Sequence, residues 1–182
     1  MKALALCAFP VEAAATRFRV QQFVEPLRER DIDIDLSPFL DSKAFGRLYS
    51  KEGSTTKAVN VLSSLGRRAR QTLGSKQYDL LFVQREAMPF GPAVFEWLYG
   101  TTGRLAMVLD LDDATYVPYE SPTYGKLGSY LKFFGKTNHL IDRSNLVVCG
   151  NRFIAKHVES RGTRAVVIPT IVDTDVFAPV SG

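Results

Sequence analysis

A chain of 182 residues is long enough to bury one core without disulfides or metal, and its 46% hydrophobic and 23% charged residues exclude a disordered or fibrous protein. The apolar start MKALALCAF is too short to span a membrane and no small-residue cleavage pattern follows it, so it reads as the first core strand of a cytoplasmic protein. The net charge of +4 is unevenly spread: Lys43 to Lys76 holds eight basic residues and one acid, Glu52, as suits a solvated helix face, a phosphate-bearing substrate or an anionic membrane.

The first strand is expected over Ala3 to Phe9. The segment after it, PVEAAATRFR (Pro10 to Arg19), lacks the glycines a pyrophosphate needs at this turn, which counts against a dinucleotide-binding dehydrogenase. Arg17 and Arg19 open the following helix, where a guanidinium either clamps a phosphate or carboxylate or sits on the surface. That helix shows its apolar side at Val20, Phe23, Val24 and Leu27, with Thr16 at its start and a kink or early break predicted at Pro26.

A second strand follows at Ile32 to Phe39, then a helix whose apolar face is Ala58, Val61, Leu62, Leu65 and Ala69, capped by Ser54, Thr55 or Thr56. The third strand, Leu80 to Gln84, runs into Arg85 and Glu86. Charges directly at the end of a buried strand either point into a cleft or pair with each other.

The fourth strand, Leu105 to Leu109, ends in VLDLDDATY. Strand alternation puts Asp110 and Asp112 on one side, with Asp113 adjacent. Clustered carboxylates are costly unless they meet a metal, a cation or hydroxyl groups, although Asp112 or Asp113 also suits a helix cap.

A helix through Leu127, Leu131, Phe134, Asn138 and Ile141 leads to the fifth strand, Leu146 to Cys149. CGNRFIAKHV then opens a helix in which Asn151 is a cap or a ligand contact and His157 is a satisfied histidine on the apolar face. Neither His139 nor His157 has a partner at metal-ligand spacing, so no metal is expected. Cys7 and Cys149 lie in strand runs as buried thiols. The sixth strand, Ala165 to Ile168, is halted by Pro169, and Asp173 and Asp175 form turns. Strands and helices that alternate in this way build an α/β domain with a mostly parallel sheet, and ligands bind such a sheet beyond the carboxyl ends of its strands.

Three of these segments, VLDLDDA, VVCGNRFIAKHV and IPTIVDTDVFAP, resemble in order and spacing the retaining group 1 glycosyltransferases of GT-B fold. The resemblance implies a Rossmann-like three-layer acceptor-side domain over residues 1–178, with helices on both faces, and the start of an interdomain linker at 179–182. The carboxy-terminal domain, which in the family holds the nucleotide sugar through two glutamates, is missing from this chain, so the chain alone is expected to be inactive. The implied activity is transfer of a sugar from a nucleotide-sugar donor to a sugar, lipid or polysaccharide acceptor in cell-envelope polysaccharide or glycolipid synthesis. No bound cofactor, metal or nucleic acid is implied.

Carried over residue by residue, Asp112 is the catalytic group beside the reacting sugar. Arg17, Arg19, Arg85, Glu86, Asp110, Asp113 and Asn151 bind the acceptor. The chain departs from the family in lacking the glycine pair of the first loop. Tyr124, Lys126, Tyr130, Lys132, Phe133, Phe134 and Lys136 suit a rest on the inner face of the cell membrane, and amphipathic core packing accounts equally for the apolar members. Two rival readings are a non-catalytic flavodoxin-like module, and a phosphatase using DLDD with Asp110 as nucleophile.

Overall fold

The computed structural model describes residues 1–47, 54–102, 105–118 and 132–174. Its strands are β1 (Lys2–Cys7), β2 (Asp33–Pro38), β3 (Leu80–Gln84), β4 (Ala106–Leu111), β5 (Leu146–Cys149) and β6 (Ala165–Val167). They form one six-stranded, all-parallel sheet in the order β2-β1-β3-β4-β5-β6. The apolar runs lack strict alternation because both faces of the sheet carry helices.

On one face, α1 (Ala14–Arg19), a short 3₁₀ turn (Gln21–Phe23) and α2 (Val24–Arg28) cross from β1 to β2, and Val20 packs on Ala5 and Cys7 with Ile34, Leu36 and Phe82. The other face holds the larger core. Leu4, Leu6, Leu81, Val83, Leu109, Leu111 and Val147 meet side chains from α3 (Ser42–Arg47), α4 (Ser54–Leu73), α5 (Val94–Thr102), α6 (Gly135–Arg143) and α7 (Arg152–Ser160). The chain moves one way from β1 to β2 and the other way from β3 onward. That puts the topological switch point between β1 and β3, where the loops after these strands part to leave a crevice.

Three features differ from the sequence expectation. The break in the first helix comes at Val20, whose φ of −130° and ψ of −60° leave the helical region, and not at Pro26. Pro26 is the third residue of the new helix α2, where a backbone N–H has no intrahelical partner to lose.

Strand β4 runs on through Asp110 to Leu111 because a buried arginine neutralises Asp110, which allows the strand to carry a carboxylate.

Helix α4 is rotated from its predicted face. Of the apolar set only Leu65 joins the core, whereas Ser64, Arg68 and Thr72 are buried and Ala58, Leu62 and Ala69 are exposed. Arg68 decides the rotation, since its guanidinium donates to the carbonyls of Ser37 (3.0 Å), Ala87 (3.2 Å) and Cys7 (3.3 Å) and to Ser37 Oγ (2.8 Å). A buried arginine with that many acceptors outweighs the pull of a Leu and two Ala.

Glu52, Leu127, Leu131, Asp175 and the expected linker at 179–182 lie outside the described residues, as do Tyr124, Lys126, Tyr130 and the side chains of Ser54, Thr55 and Thr56. Among the described residues no helix is long and apolar enough to cross a membrane.

Candidate functional site

The strand register sets the site. Cys7, Gln84 and Asp110 lie side by side across β1, β3 and β4 at their carboxyl ends. Arg19, the last residue of α1, comes down on Asp110. Its Nε donates to both carboxylate oxygens (3.2 and 3.1 Å), its Nη2 also reaches Oδ1, and its Nη1 donates to Ile168 O at 2.6 Å. Both side chains of this pair are almost fully buried. Arg19 and Asp110 are thus brought together, but as an internal clasp joining α1, β4 and the chain leaving β6.

The second pair lies after the carboxyl ends of β3 and β4, next to the switch point. Arg85 follows β3 in the left-handed region, with φ +61°, and its N–H donates to Asp110 O at 2.9 Å. This conformation aims its guanidinium across the strand ends, where Nε and Nη2 grip Asp112 at 2.5 and 2.6 Å and Nη2 also reaches Asp113 at 2.6 Å. Burial works against the Arg85 charge, but the hydrogen bonds and charge of Asp112, with Asp113, outweigh it and raise its pKa. Asp112 is mostly buried and Asp113 mostly exposed.

A non-glycine residue at positive φ costs on the order of 1–2 kcal/mol, so something must hold the turn after β3. Three charged side chains do so. Glu96 accepts from Ala87 N–H (2.8 Å), Arg68 donates to Ala87 O, and Lys136 Nζ donates to Met88 O (2.7 Å). Lys136 also pairs with Glu86 at 2.7 Å. Glu86 is therefore engaged in fastening the turn, and Lys136, only 3% exposed, cannot lie on an outer surface beside Phe133. The sequence grouped Lys136 with the membrane-facing stretch. Burial corrects that, because the charge has a partner inside.

The loop after β5 closes the other side. A Cβ on Gly150 would sit 3.0 Å from both Cα and O of Asp112, so only glycine lets the two loop backbones touch. Asn151 caps α7, its side chain accepting from Ile154 N–H at 3.0 Å. Arg17 stays local: it reaches Val11 O at 3.5 Å and lies over the Phe18 ring, away from the carboxylates.

Beside the carboxylates, Tyr116 stacks on His157 with ring centroids 3.7 Å apart, and His157 Nε2 meets Asn138 Oδ1 at 3.0 Å. Burial, and then the charge of Arg161, push the His157 pKa below its ordinary 6.5. The unfolded chain therefore takes up a proton before the folded one as pH falls through about 6.5. Its contribution to stability should be present above pH 6.5 and lost below it. Thermal melts across that range should show a fall in melting temperature that His157→Gln removes. An unchanged pH profile in the variant would assign the fall to other groups.

Cys7 and Cys149 are buried free thiols, and burial pushes them up to about 12 and about 11, so they are chemically quiet. Gln84 is also buried, and its Nε2 has no hydrogen-bond partner among the described residues. A separate cavity of about 620 Å³ lies between α5 and α6, lined by Trp97, Met107, His139 and Arg143 among others, and contains none of the predicted site residues. Among the described residues no group of three His, Cys, Asp or Glu is placed to hold a metal ion.

Local sequence singles out none of Arg68, Glu96 and Tyr116, and it groups Lys136 with another stretch. For Arg68, Glu96 and Lys136, a charge within an otherwise apolar helical face was the available signal.

No known family matches the chain, and no curated protein matches its sequence.

Proposed function

We propose that this chain is the acceptor-side domain of a retaining glycosyltransferase of GT-B architecture, working with a second domain that brings the nucleotide sugar. The observation that carries the reading is the Arg85–Asp112–Asp113 constellation, placed beside the switch point of an all-parallel sheet. Carboxylates held by an arginine are well-oriented acceptors for sugar hydroxyls. Because Arg85 fixes both of them in advance, little reorganisation is needed when an acceptor arrives.

In this reading Asp112 accepts from a hydroxyl next to the reacting carbon, and its negative charge steadies the oxocarbenium-like character that develops as the nucleotide leaves. Asp113, at the mouth, meets the outer part of the acceptor. Arg19 and Asp110 support the floor without touching substrate, and Glu86 supports the wall through Lys136. The phosphatase reading of DLDD fits poorly, because its nucleophile would be Asp110, 1% exposed and held by Arg19.

The test is release of nucleoside diphosphate by the full-length protein across a panel of nucleotide sugars and acceptors. Asp112→Asn should lower kcat by about 10²–10³ while the melting temperature changes little. Full turnover by that variant, or no binding of any nucleotide sugar, would overturn the proposal and leave a non-catalytic binding module.

A further inference from the structure

Helix α4 turns a polar row inward and leaves an apolar row uncovered. Ala58, Leu62, Gly66, Ala69 and Leu73 follow one another at steps of three and four residues and are all exposed, Leu62 to 66% and Leu73 to 85%. Val59, 63% exposed, widens the row at one end. Single exposed leucines are ordinary, but a continuous stripe along a helix of 20 residues, about 30 Å long, calls for a partner.

Charge identifies that partner. The helix contains Lys57, Arg67, Arg68 and Arg70 and no acid. Arg68 is spent inside the core and Arg67 donates to Phe39 O, whereas Arg70 is exposed beside the stripe, Lys76 follows the helix and Lys43 precedes it in α3. Arg67 keeps a loose contact with Asp41 at 3.8 Å. A second copy of this chain would bring two basic helices together, which opposes pairing.

We propose that the outer face of α4 rests on an anionic lipid surface, with Leu62 and Leu73 entering the acyl boundary and Arg70 and Lys76 at the headgroup phosphates. Apolar insertion and basic flanks act together here, since either alone binds weakly. The rotation fixed by Arg68 makes the surface, because the predicted orientation would have hidden Leu62. The proposal stands independently of the reaction the domain takes part in.

Vesicle sedimentation of the full chain tests it. The protein should sediment with vesicles containing phosphatidylglycerol and stay in solution with pure phosphatidylcholine, and added salt should weaken the binding. Arg70→Gln should weaken partition ~fivefold, the equivalent of about 1 kcal/mol per basic residue at an anionic surface. Leu62→Glu with Leu73→Glu should abolish binding at an unchanged melting temperature, as both side chains are already in water.

Equal binding by the wild type and the double Glu variant would overturn the proposal. So would a dimer in sedimentation velocity that Leu62→Glu breaks while vesicles are ignored, or the wild type binding only an acidic peptide helix. If the double variant does not fold, Arg70→Gln decides, and unchanged partition overturns the proposal.

Discussion

Asp110→Ala is expected to cost the fold about 3–5 kcal/mol, the range for removing one partner of a buried ion pair. The loss exceeds what the hydrogen bonds alone contribute, because Arg19 stays buried at the base of α1 with its charge uncompensated. For a domain of this size the melting temperature should drop by roughly 6–20 °C. Arg19 also donates to Ile168 O, and Gln22 Nε2 reaches Ile171 O at 3.0 Å, so α1 helps hold the chain that leaves β6. Hydrogen exchange in that segment should rise along with the loss of stability. The double variant Arg19→Met with Asp110→Leu is expected to recover most of the deficit, since it removes both charges from the interior. Chemical denaturation of the three proteins measures this. A single Asp110→Ala variant within about 1 kcal/mol of wild type would mean that water reaches Arg19.

Arg68→Met comes next in size, at about 3 kcal/mol, and differs in kind. Among the described residues Arg68 has no carboxylate in contact. It is held by carbonyls from β1, β2 and the turn after β3, and burial lowers its pKa. Methionine fills the stem's space but leaves Ser37 O and Ala87 O without this donor, at about 1–3 kcal/mol for each unsatisfied buried acceptor. Cys7 O loses less, since it also accepts from Phe39 N–H at 2.8 Å. Losing the Ala87 contact also loosens the turn that holds Arg85 at positive φ, so the grip of Arg85 on Asp112 should weaken alongside stability. Urea unfolding separates the effects: Arg68→Lys should restore part of the stability but not the simultaneous reach to three carbonyls. If Arg68→Met matched wild type, the orientation of α4 would have to be set by something other than this arginine.

Much of the α/β frame was legible in the residues. The six apolar runs became six strands with shifts of one or two residues at their ends, since a run flanked by helical periodicity has few other ways to bury both its faces. Asn151 was open in the sequence to a cap or a ligand contact, and its place before an apolar-periodic segment is the cap position it occupies. The carboxylate cluster after β4 stood out because unpaired like charges at a strand end demand compensation.

Which cation answers each carboxylate was not legible. Arg19 and Asp110 are 91 positions apart in the chain, and Arg85 and Asp112 are 27 apart. Only the parallel register that sets Gln84 opposite Asp110 brings these partners into reach.

What the sequence by itself determined is the succession of strands and helices, the end of the sheet that carries the polar loops, and the kinds of side chain found there. These follow from local periodicity and turn chemistry, which act over a few residues. What only the tertiary structure decided is which charges are internal fasteners and which are available. Arg68, Lys136 and Glu86 look alike in sequence to exposed charges, yet they fasten the turn after β3, while Leu62, predicted to lie under α4, stands in solvent. The physical reason is that a buried charge is tolerable only where enough partners converge on it, and that convergence depends on long-range packing absent from any local window.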